Sequence, residues 1–312
     1  MIDAPSSTYF TAPPEWRWLI ILYFFFGGLA AGSYFLAAMI DLLGRVEDRP
    51  LARLGYYLTL PLVAVCGILL IVDLTRPLRF WHMLIERNTL EPMFKYWAPM
   101  SVGSWALMLF GFFSLLSFAG ALAEDEEARR RWNVTRTLSL PWSAMRGLRA
   151  PALTGRVIAV LGGTAGFYIA SYTGVLLSVT NRPIWADTPM LGMLFVVSAA
   201  SSSAALLGLL AQRLGWSMPA VRHLARMDGW VIALELIVLI ALLASLGPVL
   251  RAWLNVWGAV LIVGVIIPGI IVPLLAAFRP NYVRLHATTV ALLVLASGFL
   301  LRLVVVLSSE TV

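Results

Sequence analysis

The chain has 312 residues, 60% of them hydrophobic and only 12% charged, with a formal net charge of +7 and a mean hydropathy of +0.87. That apolar share exceeds a globular domain's, and so few charges cannot cover a water-exposed surface of this size, which excludes a soluble enzyme. One cysteine and three histidines exclude a disulfide framework, thiolate zinc sites and iron–sulfur clusters carried by this chain.

Backbone groups in lipid must be satisfied internally, so the spans are helices or a closed barrel. Apolar runs of 20 or more residues select helices, because barrel strands are short and alternating. The expected fold is all-α: a polytopic membrane protein of eight transmembrane helices, arranged as two four-helix bundles. The spans are expected near 18–42, 54–74, 99–123, 156–179, 190–212, 228–247, 255–277 and 286–308.

Residues 1–15 lack the basic stretch of a signal peptide and the following run is too long for one, so the first span is expected to stay uncleaved. It carries Gly27, Gly28, Ala30, Ala31 and Gly32, small residues that let helices approach closely, and ends at Asp41. The second span holds Cys66, read as a small buried residue, and runs into the polar cluster Asp73-Leu-Thr-Arg-Pro-Leu-Arg-Phe-Trp-His82. There Asp73, Arg76, Arg79 and His82 could satisfy one another, or hold a polar head group and move protons. Loop 124–155 opens with EDEEARRRW, read as a solvated helix end, and divides the chain into halves 1–155 and 156–312. The fourth span echoes the second, with Tyr172 about three turns before Arg182-Pro and Trp185 beyond. Later, Glu235 lies two turns inside its span, Asp228 begins that span and Pro268 interrupts the seventh. Ionisable groups within or at the ends of spans are costly and usually functional, so Glu235, Asp228, Asp41 and Asp73 are candidates for a proton pathway, with a plain interfacial role the alternative for Asp41 and Asp228 near the cytoplasmic ends.

An even span count places both termini on one side. If the first, third, fifth and seventh inter-span loops are cytoplasmic, they hold 15 of the 23 basic residues. The positive-inside rule then puts both termini outside a prokaryotic cytoplasmic (inner) membrane. The positive charge reflects anchoring at that face, not nucleic-acid binding. His82, His223 and His286 lie in loops or at span ends. Without a mid-span pair, a di-haem cytochrome b is excluded.

Three stretches carry a resemblance: Glu15-Trp-Arg-Trp18 leading into GGLAAGSYFLAA; DLTRPLRFWHML followed by Tyr96-Trp97 and Ser101 through Trp105; and SYTGVLLSVTNRPIW followed by Pro189 and MLFVVSAASSSAALL. In order and spacing, over nearly the whole chain, they resemble the NrfD/PsrC family of integral membrane quinone-reactive subunits of respiratory oxidoreductase complexes. The resemblance implies a subunit with no haem or iron–sulfur cluster of its own, binding a quinone (menaquinone or ubiquinone) near the outer face. It implies a four-cluster ferredoxin-like iron–sulfur partner and a catalytic subunit, a molybdopterin oxidoreductase or a multihaem cytochrome. Carried over by position, Tyr23 falls where some members place a head-group histidine, Asp73 where a relative has glutamate, and Tyr172 on the family's tyrosine near the ring. The expectation is therefore that Asp73 and Tyr172 are catalytic, and that Tyr23, His82, Arg76 and Arg79 join them in binding quinone. A secondary transporter or a purely structural membrane anchor are the alternatives.

Overall fold

The computed structural model describes residues 16–131, 142–216, 219–279 and 285–309. Glu15, Arg136 and Arg284 lie outside these residues. Eight helices are long and apolar enough to cross a membrane. They are α1 Trp18–Leu43, α2 Arg49–Asp73, α3 Pro99–Glu124, α4 Leu153–Ser178, α5 Leu191–Arg213, α6 Pro219–Ser245, α7 Val256–Phe278 and α8 Ala287–Ser308. Among the described residues no strand forms beyond an isolated Ile85–Pro92 bridge.

Helices α2 and α6 start several residues before the apolar runs at 54 and 228. Apolarity marks only the part immersed in lipid. Backbone hydrogen bonding carries the helix on through Arg49–Arg53 and Arg222–Arg226, beyond the apolar runs. Pro77 begins a short 3-10 turn, Pro77–Met83, after α2 has ended at Asp73. Span α7 stays helical but widens to π-helix over Leu261–Ile271, around Pro268. Proline has no N–H to offer and clashes with the preceding turn, and a wider turn relieves both problems.

Helix α1 packs most extensively on α2, then on α4 and α5. In turn, α5 packs on α6, α4 and α8, while α7 leans mainly on α8. Lipid is as apolar as leucine, so close packing and polar contacts must hold such helices together. The α1–α5 seam shows this. A side chain on Gly28 would meet Ala199, one on Gly32 would meet Ser203 and the Ala199 carbonyl, and the Ser203 hydroxyl donates to Leu29 O at 3.1 Å.

The helices alternate in direction, giving two ends. The starts of α1, α3, α5 and α7 gather at one, with the ends of α2, α4, α6 and α8. The opposite end carries most of the arginines. There the buried Arg149 donates from Nε and Nη2 to both oxygens of Asp41 at 2.6 Å, from Nη1 to Glu124 at 2.7 Å and from Nη2 to Arg49 O at 2.9 Å. Burial alone would pull the guanidinium down. The hydrogen bonds and charge of Asp41, with Glu124 beside it, outweigh burial and hold its pKa above the usual arginine value. The acidic stretch after α3 is therefore not simply a solvated helix end. Its Glu126 pairs with Arg129 and Arg146, and Arg129 is itself buried.

Candidate functional site

The end where α1 begins contains a cavity of about 100 Å³ walled by four helices. Helix α1 supplies Ile20, Tyr23 and Phe24; α2 supplies Leu70 and Asp73; α3 supplies Met100, Gly103 and Ser104; and α4 supplies Tyr172 and Leu176. Trp16 and Met83 close it from the flanking segments. Tyr23, Asp73 and Tyr172, which lie far apart along the chain, are thus brought to one enclosed space.

Each of the three has a local reason for its position. Tyr23 is buried, and the Cys66 thiol of α2 lies 3.9 Å from its carbonyl oxygen. Tyr172 is buried and donates its phenolic proton to Pro99 O, 2.7 Å away, at the first turn of α3, where the carbonyl is close enough to accept. Gly103 makes that contact possible, because a Cβ there would occupy the Tyr172 ring and hydroxyl. Asp73 is the last residue of α2 and remains exposed, so it lines the cavity while reaching the water side.

Not every expected residue joins them. Arg76 and Arg79 are exposed on the face beyond the cavity. His82 stacks edge-on against Trp81 with ring centroids 3.9 Å apart, and its buried Nε2 has no hydrogen-bond partner among the described residues; its neighbour Met83, not His82, lines the cavity. Asp41 lies at the arginine-rich end with both oxygens taken by Arg149. Trp16, Gly103 and Ser104 escaped the sequence reading as wall residues. Trp16 stacks on the buried Trp185, whose indole N–H donates to Val305 O at 2.7 Å, so the pair ties α8 to the roof of the cavity.

A second polar line runs through α5, α6 and α8. Asp228 lines a cavity of about 250 Å³ that opens at the arginine-rich end. Its Oδ1 is buried and makes no well-formed hydrogen bond among the described residues, with the Ser201 hydroxyl as its polar neighbour. Two turns along α6, the buried Glu235 has Ser198 and Arg302 as polar neighbours. The Arg302 guanidinium, fully enclosed, donates to Gly298 O at 2.6 Å, to Ser198 at 3.4 Å and to Phe24 O at 3.1 Å. Phe24 belongs to the wall of the first cavity.

A family described as polysulphide reductase, NrfD, matches residues 9–312. The polysulfide reductase C polypeptide of Wolinella succinogenes is 30% identical over 204 residues, covering 62% of this chain and 58% of the relative. Protein NrfD of Escherichia coli is 30% identical over 200 residues, 61% and 57% of the two proteins. The selenate reductase C polypeptide of Mesobacillus selenatarsenatis is 24% identical over 213 residues, 63% and 48%. The matched stretches thus span about half to three-fifths of these relatives' lengths. With a match running across almost its whole length, the chain belongs to the NrfD family of membrane proteins.

Proposed function

We propose that this chain is the quinone-reactive membrane subunit of a respiratory oxidoreductase complex, exchanging electrons with a peripheral iron–sulfur subunit. The observation that carries the reading is the convergence of Tyr23, Asp73 and Tyr172 on one cavity at a single end of the bundle. Its chemistry suits a quinone ring: apolar walls for the ring face, phenols at its edge, and a carboxylate at the water side. When bound, the quinone supplies a two-electron, two-proton couple. Tyr172 donates its proton to Pro99 O, which leaves its oxygen able to accept a hydrogen bond from a ring hydroxyl. Asp73, ending at water, can pass protons between the cavity and the outside.

The proposed partners come from the family resemblance, with the relatives named as parts of reductases supporting a catalytic partner. That catalytic subunit would be a molybdopterin oxidoreductase or multihaem cytochrome, reached through a four-cluster ferredoxin-like protein. Leu78, Tyr96 and Trp97 are 89%, 77% and 67% exposed on the segment between α2 and α3 that also carries the exposed Arg76 and Arg79, and these five would make the docking face for the iron–sulfur subunit. The arginine bias supports an orientation with this face and both termini outside the cytoplasmic membrane.

The test is quinone-coupled turnover of the assembled complex. Asp73→Asn is expected to lower it by about 10²–10⁴-fold, the usual worth of a positioned proton donor or acceptor. Tyr172→Phe, losing one hydrogen bond of about 1 kcal/mol, should cost roughly tenfold or less. Electron transfer from the catalytic subunit to a soluble dye should survive both changes. Wild-type rates and quinone affinity in both variants would sink the assignment.

A second reading adds to the first: proton movement across the membrane through Asp228, Ser201, Ser198, Glu235 and Arg302. It is favoured by the buried Asp228 Oδ1, without a well-formed hydrogen bond among the described residues, on a cavity open at the opposite end.

A further inference from the structure

Next to the ring cavity lies a larger groove of about 310 Å³ on the outer side of the α2–α3 seam. The two spaces share Leu70, Leu74, Met83 and Ser104, so they adjoin across these side chains. Away from the cavity, the groove is walled by Val63, Gly67 and Ile71 of α2 and by Leu107, Met108 and Gly111 of α3. Among its lining residues only Ser104 carries a side-chain hydroxyl, and that proton is already donated to Met100 O at 2.8 Å.

Three features make this a seat rather than a gap. Helices α2 and α3 pack on each other less extensively than on α1 and α4 respectively, so the seam is loose where the groove runs. Its floor is cleared by glycine: a Cβ at Gly67 would meet nothing within 4 Å, and one at Gly111 would meet only Val63 Cγ1 at 3.4 Å. Around it Ile68, Val72, Met108 and Phe112 are 45–60% exposed and apolar, which turns the mouth toward lipid rather than water. From Leu74 to Val63 the groove follows α2 inward for about 16 Å, enough for the first few isoprene units of a tail.

We infer that this groove seats the polyisoprenyl tail of the quinone and is the lateral path by which the molecule reaches the ring cavity from the bilayer. This rests on the quinone reading above. A polar-edged cavity adjoining a lipid-facing apolar groove fits a ligand with a small redox ring and a long hydrocarbon tail. A phospholipid acyl tail would fill the groove but has no ring for the cavity. Lipid is as apolar as the groove, so the tail gains little transfer energy there. What the groove contributes is orientation, holding the ring toward Tyr23, Asp73 and Tyr172.

The experiment compares kcat/KM for a long-tailed quinone and for a tail-less quinone of the same ring, using the whole complex in nanodiscs. Wild type should prefer the long-tailed form, and Gly67→Phe should cut the ratio of the two roughly tenfold, equivalent to about 1.4 kcal/mol. Gly67→Leu, a smaller plug, should cut it less. A long-tailed quinone with a photoreactive group on its tail should label residues 104–111 in the wild-type protein. An unchanged ratio, equal losses with both quinones, or labelling confined to other helices would each overturn the groove assignment. Failure of the wild type to turn over either quinone would instead refute the quinone reading itself.

Discussion

Arg149 shows how one residue can organise a helix end that its own sequence neighbours do not explain. Four hydrogen bonds join α1, the start of α2 and the end of α3 to the segment entering α4. The partner carboxylate of Asp41 is completely enclosed, so removing the guanidinium leaves a buried negative charge without compensation. Arg149→Met is expected to lower stability by about 3–5 kcal/mol, read as the midpoint of unfolding in detergent. Arg149→Lys should recover only part of that, because an ammonium cannot bond both Asp41 oxygens in parallel. Unfolding midpoints equal to wild type would mean the pair contributes nothing. Asp41 was legible in the sequence as a span-end carboxylate, but its arginine is 108 residues away and nothing local pairs them.

Helix α1 is the element on which the bundle turns, and its small residues are not equivalent. Gly27, Gly28 and Gly32 read alike in sequence, as places where helices can approach. In the fold Gly32 lies against the α5 backbone: a Cβ would meet Ala199 O at 2.7 Å and Ser203 Cβ at 2.8 Å, and neither can rotate away. Gly32→Ala should therefore separate α1 from α5 and cost about 1–3 kcal/mol. Gly27 faces Cys66 Sγ and the Tyr23 ring at ordinary contact distances of 3.7 and 3.8 Å. Gly27→Ala should stay within about 1 kcal/mol of wild type, the removal of a helix glycine offsetting any tightening. Thermal unfolding of the two variants side by side checks the contrast, and equal destabilisation would contradict it. Span α7 makes a complementary point, since Pro268 announced an interruption and the helix answered by widening rather than breaking.

Across the whole molecule, the two polar regions meet at one atom: Phe24 O belongs to a residue of the ring-cavity wall and accepts from Arg302. A proton route from the arginine-rich end would run from Asp228 through Glu235 to that junction. In proteoliposomes, with orientation fixed by an impermeant thiol reagent at Arg87→Cys in a Cys66→Ala background, quinone turnover should change the pH on the arginine-rich side. Glu235→Gln and Asp228→Asn should each reduce the protons moved per quinone severalfold while electron transfer continues. Proton movement unchanged in both would remove these residues from any route. Asp41, another member of the expected set, is held by Arg149 at the arginine-rich end.

Eight membrane-crossing helices followed from the apolar runs alone, because lipid leaves the backbone no other partner and the required length is set by bilayer thickness. The polar clusters at Asp73 and near Tyr172 were visible for a similar reason, since charge and Arg-Pro at a span end break the apolar pattern. Which of those residues share a cavity was decided only by the tertiary structure. Tyr23, Asp73 and Tyr172 converge because α1, α2 and α4 cross at particular registers, and registers depend on close approaches such as Gly103 beneath the Tyr172 ring. A lone glycine near a helix start carries no sequence signal, and neither does a groove, which is made by side chains that are missing. Hydropathy reports how each helix meets lipid; how the helices meet one another is written in contacts between distant residues.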